Sequence, residues 1–160
     1  MTDATPGDVV LREVREEDLP IFFEHQRDPE ANRMADFPAR DREAFMAHWK
    51  KIPDDPTNVA MTVVFRGQVA GNVVCWGPPD DRAVGYWIGP EYWGKGVATR
   101  ALASLLPLLT RPLYAHVAQH NVASIRVLQK CGFTILGKAK TSSASGSDVE
   151  ELVLKLDQNA

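Results

Sequence analysis

Gly89-Pro90-Glu91-Tyr92-Trp93-Gly94-Lys95-Gly96-Val97-Ala98-Thr99, GPEYWGKGVAT, stands between an apolar strand-like run and an alanine-rich helical pattern. A strand ends at Gly89, a turn holds Gly94 and Gly96, and a helix begins. The first amides of a helix have no partner within it, and the helix dipole adds positive potential there. Small residues let a phosphate come close. The stretch predicts an anion cradle, to which Lys95 and Thr99 can add a charge and a hydroxyl. The alternative reading is a tight strand-to-helix turn and nothing more.

Working outward, Val9 to Val14 reads as a first strand and Glu16 to Gln26 as a short helix, with Pro20 tolerated near its start. Asp28-Pro29 reads as a break and Pro38 as a loop. Asp41 to Ile52 is an amphipathic helix whose stripe is Phe45, Met46, Trp49 and Ile52. Val59 to Phe65, Val69 to Trp76 and Ala83 to Ile88 read as three strands joined by short turns, an antiparallel meander. After Gly96, Val97, Ala98, Ala101, Leu102, Leu105 and Leu106 form one apolar helix face, ended by Pro107. Leu113 to Ala118 is a strand, Asn121 to Cys131 a helix, and Gly132 its stop. Phe133 opens another strand, TSSASGS (141–147) is a hairpin connection, and Glu150 to Leu156 closes the sheet. The expected fold class is α/β (α+β mixed), with helices on both faces of a mostly antiparallel sheet. The expected organisation is one domain over 1–160, with its core at about 9–156.

The chain has 160 residues and a net charge of -3. That balance gives no global pull toward nucleic acid or an anionic membrane. Cys75 and Cys131 make no disulfide framework. No uninterrupted apolar run approaches the roughly 20 residues of a membrane span, and MTDATPGDVV lacks the pattern of a signal peptide. A cytoplasmic protein is the expectation. His25, His48, His116 and His120 lack metal-ligand spacing, so no metal is expected.

Two phosphate motifs fail on this stretch. A nucleotide-hydrolase loop needs GxxxxGK[ST], but Lys95 lies between the glycines. A dinucleotide fingerprint needs GxGxxG after an early parallel strand, but Gly94-Lys95-Gly96 is followed by Thr99 and comes after a meander. The pattern instead resembles the GNAT superfamily of acyl-CoA-dependent N-acyltransferases, whose glycine signature is Gln or Arg, two residues, Gly, one residue, then Gly or Ala. Trp93 to Ala98 fill that register, with Trp93 replacing Gln or Arg. A second signature resembles the branch of ribosomal-protein alanine acetyltransferases (RimJ/RimL-like): Ala115-His116-Val117, then Asn121 to Leu128, then Lys130-Cys131-Gly132-Phe133.

The resemblance implies acetyl-CoA as donor and a primary amine as acceptor, on a small molecule or a protein N-terminus. It places the pyrophosphate on the amides from Gly94 through Lys95, Gly96, Val97 and Ala98 to Thr99, with Trp93 contributing backbone. It places Trp87 and Ile88 beside pantetheine and the thioester, where the family's central strands splay at a bulge, and Asn121 near the pantetheine arm. Asn121 is also a good helix N-cap. Ser124 lies one turn further on, near the departing thiol. Arg100, Arg126 and Lys130 are candidates for the 3'-phosphate, or simply solvated charges. Many relatives carry a tyrosine acid at the position of Leu128, and leucine cannot donate a proton; either Ser124, alone or with a water, serves as the acid, or the thiolate leaves without a side-chain acid.

The attacking amine must lose a proton, and Glu24, His25, Glu30, His116, His120 or a water chain are candidate bases. The expected catalytic set is Ser124, Glu24 and His116. Direct attack needs no acyl-enzyme, and no pattern near Cys131 makes it a nucleophile. Trp49, Trp76, Trp87 and Trp93 read first as packing. The acceptor is expected to meet Glu24 to Arg42 and Lys138 to Asp148. The competing class is a noncatalytic acyl-CoA-binding or sensory domain, which would keep Gly94, Gly96 and Asn121 but lack a productive base. A homodimer through the terminal strands is a weaker expectation.

Overall fold

The computed structural model describes residues 8–35, 39–142 and 148–157. Residues 143–147, most of the expected TSSASGS connection, lie outside them. Seven strands form one sheet: β1 (Val9–Glu13), β2 (Val59–Phe65), β3 (Gln68–Trp76), β4 (Arg82–Ile88), β5 (Leu113–Ala118), β6 (Thr134–Ser142) and β7 (Asp148–Leu156). Their spatial order is β1-β2-β3-β4-β5-β7-β6. All neighbours are antiparallel except β4 and β5, which run parallel. Five α-helices accompany them: α1 (Leu19–Gln26), α2 (Pro29–Ala35), α3 (Arg42–Lys51), α4 (Val97–Leu105) and α5 (Val122–Lys130).

Alternation along the strands sends apolar side chains to both faces. On one face, Phe22 and Phe23 of α1 and Phe45 and Trp49 of α3 form an aromatic cluster against Ala60, Val69 and Val74. The Phe22 and Trp49 rings are 5.0 Å apart. Burying each of these side chains contributes about 1.5–3 kcal/mol. On the other face, Val97, Ala101 and Leu105 of α4 pack on Val63, Val73 and Ile88. Leu128 of α5 is buried with Leu102, Leu113 and Leu154.

Asp28-Pro29 is both the expected break and the start of α2, a helix missed by the sequence reading. The Asp28 carboxylate accepts from the Ala31 amide at 2.9 Å. Proline at the first helical position gives up an amide that would have no partner there. The dipeptide is therefore a start signal as much as a stop.

Two irregularities shape the centre of the sheet. The β2–β3 register shifts between Val63 and Val64, leaving Ala70 as an extra residue in β3. Val69 and Val74, five residues apart, thereby reach the same aromatic face. The family resemblance led us to expect a bulge beside the glycine turn; the bulge lies in β3, and the Gly89 amide donates to the Ala70 carbonyl at 2.8 Å. Meanwhile β4 and β5 pair only at Arg82–Leu113 and Ala83–Tyr114, and diverge beyond. The expected splay is thus present, between the two parallel strands.

Candidate active site

The wedge between β4 and β5 opens into a cleft of about 500 Å³. One wall is the turn from Gly89 to α4, another is α5, and α2 approaches through Ala31, Met34 and Ala35. Gly94 and Gly96 both have left-handed backbones, with φ of 74° and 78°, a region where a side chain is strained. They swing the chain so that α4 starts at the cleft. Gly96 is the N-cap of α4, and no side chain caps this end. The amides of Val97, Ala98 and Thr99 therefore lack helical acceptors. A Cβ built on Gly94 would meet nothing within 4 Å, so open space adjoins this turn.

Trp87, Ile88, Trp93, Gly94, Gly96, Val97, Ala98, Thr99, Asn121 and Ser124 all line this cleft. Trp93 does so with a fixed ring, whose Nε1 donates to the Ile88 carbonyl at 2.8 Å. Lys95 is not in the lining; its ammonium lies 6.0 Å from the Tyr92 ring centroid. Arg126 and Lys130 line the cleft from α5, and among its described lining residues there is no carboxylate. The unpartnered amides, the helix dipole and two cations all favour an anionic guest.

Asn121 caps α5, its side-chain oxygen accepting from the Ser124 amide at 3.3 Å. Leu128 points into the core and is 1% exposed. The phenol that the sequence reading missed is Tyr86 on β4. Its hydroxyl is hydrogen-bonded to the Ser124 hydroxyl, and the Ser124 carbonyl lies 3.4 Å away. Burial pushes the Tyr86 phenol up to about 12, an effect the bond to Ser124 only partly offsets. Tyr86 thus keeps its proton at neutral pH and can act as a donor. The sequence signal was Gly-Tyr-Trp at the point where β4 leaves β5, but only the three-dimensional split brings Tyr86 to α5.

A second cavity, of about 470 Å³, lies on the aromatic face under α1 and α3. Phe22, Phe45, Trp49, Trp76 and Trp87 supply its apolar walls. Cross-strand pairing of Asn72 with Trp87 and Val74 with Gly85 floors it, and the Trp76 indole lies over Gly85. The Trp87 indole donates to the His25 carbonyl at 3.2 Å. Tyr86 and Trp87, on the part of β4 that has left β5, line both cavities.

Glu24 and His116, the other two residues of the sequence-predicted catalytic set, line neither cavity. Glu24 is exposed and pairs with Arg27 at 2.9 Å. His116 is an outward residue of β5, 4.0 Å from Glu151. His25 is buried beside Gly89, and burial lowers its pKa. His120 Nε2 lies 2.8 Å from the Arg33 carbonyl, tying α2 to the turn before α5. Glu30 pairs with Arg33. Burial raises the Cys131 thiol, whose Sγ lies 3.6 Å from the Thr99 carbonyl; this is no activated nucleophile. Among the described residues no cluster of histidine, cysteine and acidic groups could hold a metal ion, and no helix is long and apolar enough to cross a membrane.

The fold is shared with solved acetyltransferases. RimL, a ribosomal-protein alpha-N-acetyltransferase in complex with coenzyme A, matches with a TM-score of 0.82 and 18% identity, over 96% of each chain. A spermidine N-acetyltransferase from Vibrio cholerae, with CoA and spermine, gives 0.80 and 18% over 94% of this chain and 96% of that one. A ribosomal-protein-alanine N-acetyltransferase from Brucella melitensis gives 0.77 and 21%, over 92% and 99%. At these identities the likeness is one of fold. No curated protein matches by sequence. Residues 8–134 match the sequence model of the acetyltransferase (GNAT) domain, and the chain therefore belongs to the GNAT family of acetyl-CoA-dependent N-acetyltransferases.

Proposed function

We propose that the whole chain is one N-acetyltransferase domain, which transfers the acetyl group of acetyl-CoA to a primary amine by direct attack. The first cleft takes the donor, with the pyrophosphate on the amides of Gly94 to Thr99, Arg126 and Lys130 toward its phosphates, and Trp87, Ile88 and Asn121 along the pantetheine arm. Bound there, the thioester supplies an activated acyl carbon and a thiol leaving group. The second cavity delivers the amine. The carrying observation is that both cavities end on the same two residues, Tyr86 and Trp87. Two reactants held at one junction gain the large advantage of proximity.

Tyr86 and Ser124 supply the proton chain. Tyr86 donates to the Ser124 oxygen, which leaves the Ser124 O–H to point at the sulfur. As the C–S bond breaks, Ser124 gives its proton to the thiolate and takes one from Tyr86. The proton shed by the attacking nitrogen refills the phenol from the second cavity. The net result is one proton moved from nitrogen to sulfur, with both side chains restored. This chain occupies the place of the tyrosine acid missing at Leu128, and it supplies the path that Glu24 and His116 do not reach.

The test is thiol release from acetyl-CoA across a panel of small amines and short peptides, with an amine-free control. Amine-dependent release with a matching acetylated product supports the reading. CoA binding without release for any amine would favour the noncatalytic alternative.

A further inference from the structure

The lining of the second cavity also bears on how an amine would be held there, an inference that rests on the acetyltransferase reading above. Phe22, Phe45 and Trp49 give it a flat apolar wall, which suits a guest with an aromatic body. Its polar lining includes two buried carboxamides. Gln26, the last residue of α1, is 6% exposed. Its side-chain oxygen is buried without a hydrogen-bond partner. Such an oxygen is costly to leave unpaired and asks for an N–H. Asn72 of β3, 7% exposed, stands across the ladder from Trp87. Of the titratable groups in the described lining, the Cys75 thiol and the Tyr86 phenol are pushed up by burial and His48 is pushed down, so all three are neutral at pH 7. Arg40 is the fourth, and it already has a partner. A carboxamide accepts an N–H without favouring a positive charge on it as a carboxylate would. The amine must be uncharged to attack, so a neutral acceptor suits the reaction.

We propose that Gln26 holds the acceptor's nitrogen: its side-chain oxygen accepts an N–H of an uncharged primary amine, Asn72 is the second polar contact, and the amine is carried on a flat apolar body among Phe22, Phe45 and Trp49. With an N–H on Gln26, the nitrogen lone pair is left to face the thioester. The transfer itself is unchanged: a C–N bond forms, the C–S bond breaks, and the nitrogen's proton ends on the thiol. The amide product keeps one N–H for Gln26.

The experiment reads kcat/KM from thiol release with phenethylamine and n-butylamine as acceptors for the full chain. Phenethylamine should be favoured by about tenfold or more, as burial of its ring predicts. Gln26→Met keeps the length of the side chain and removes its oxygen. It should lower kcat/KM for phenethylamine by about five- to tenfold, the scale of one hydrogen bond, with CoA affinity unchanged. Gln26→Glu should move the rising limb of kcat to higher pH, because a carboxylate lets the bound amine keep its proton. Loosened packing alone would not move that limb. No preference for the ring, full activity in Gln26→Met, or an unmoved limb in Gln26→Glu would overturn the proposal. Where a variant fails to fold, product analogues carry the test on the wild type. N-phenethylacetamide should compete with the amine about fivefold better than N-methyl-N-phenethylacetamide, which lacks the N–H, and equal competition overturns the proposal. If no amine reacts, the acetyltransferase reading is what has failed. Calorimetry with the same two amides then decides: tighter binding of the one with the N–H supports Gln26 as its acceptor, and equal binding or none overturns it.

Discussion

The hydroxyls of Tyr86 on β4 and Ser124 on α5 are hydrogen-bonded across the gap that opens once β4 leaves β5. Both residues line the first cleft, and Tyr86 also faces the second cavity. Removing either hydroxyl interrupts the proposed proton chain. Tyr86→Phe should lower kcat by roughly 100-fold, the low end for general acid–base catalysis, with CoA affinity little changed. Ser124→Ala should do the same, and the double variant should be no worse than the worse single one. Steady-state kinetics with CoA calorimetry check this; two losses that simply multiply would mean that the hydroxyls act separately.

At the glycine turn, strain and ligand approach can be separated. Gly94→Ala places a Cβ in open space at a φ of 74°, so it should cost about 1–2 kcal/mol of stability while CoA still binds. Gly96→Glu adds bulk and negative charge where the α4 amides face the cleft. It should reduce CoA affinity by at least about tenfold. Calorimetry on folded variants distinguishes the two, and unchanged affinity in Gly96→Glu would remove the pyrophosphate from this site.

Acid stability should depend on Asp18. Burial alone would raise this carboxyl, but bonds from Arg12, the Arg15 amide and Thr62 outweigh it and hold it down to about 2. A depressed carboxyl stabilises the fold above its unfolded pKa of about 4, and that stability disappears as pH falls through about 2. The shift corresponds to roughly 2 kcal/mol. Denaturant melts of wild type and Asp18→Asn should differ most near neutrality and converge at low pH. A constant difference down to pH 2 would contradict the assignment.

Gly89 keeps a narrow space. A Cβ there would stand 2.6 Å from the His25 ring, and the His25 carbonyl anchors the Trp87 indole. Gly89→Ala should therefore destabilise by about 1–3 kcal/mol, as overpacking does. It should also raise KM for the amine more than for acetyl-CoA, since Trp87 is displaced at the junction. Equal changes in both constants would show that the effect is general loosening.

Local chemistry made much of this protein legible. Asp41 and Asn121 announce α3 and α5 because each caps with its own side chain, and the meander follows from alternating strands and short turns. The glycine turn carried its meaning in backbone conformation, which composition reveals. Asp28-Pro29 was misread because the same two residues end one helix and start the next. Tyr86 was not singled out because its importance comes from a partner 38 positions away. Glu24 and His116 were plausible by residue type, yet Glu24 is exposed on α1 and His116 on β5. The aromatic cavity needed α1, α3, β3 and β4 together, and no local pattern encodes that meeting.

The brief β4–β5 pairing also bears on how this chain unfolds. With two residue pairs bridging them, the β1–β4 ribbon and the β5–β7 ribbon are otherwise joined by packing: Leu102 of α4, Cys75 and Val84 share one cluster with Leu113, Leu154 and Leu156, while Ala101 and Leu105 of α4 enter the other. Thermal opening can then start along this seam while each ribbon keeps its own ladder. Deuterium uptake should divide the amides into two cooperative sets, and a ligand bridging the seam should merge them into one.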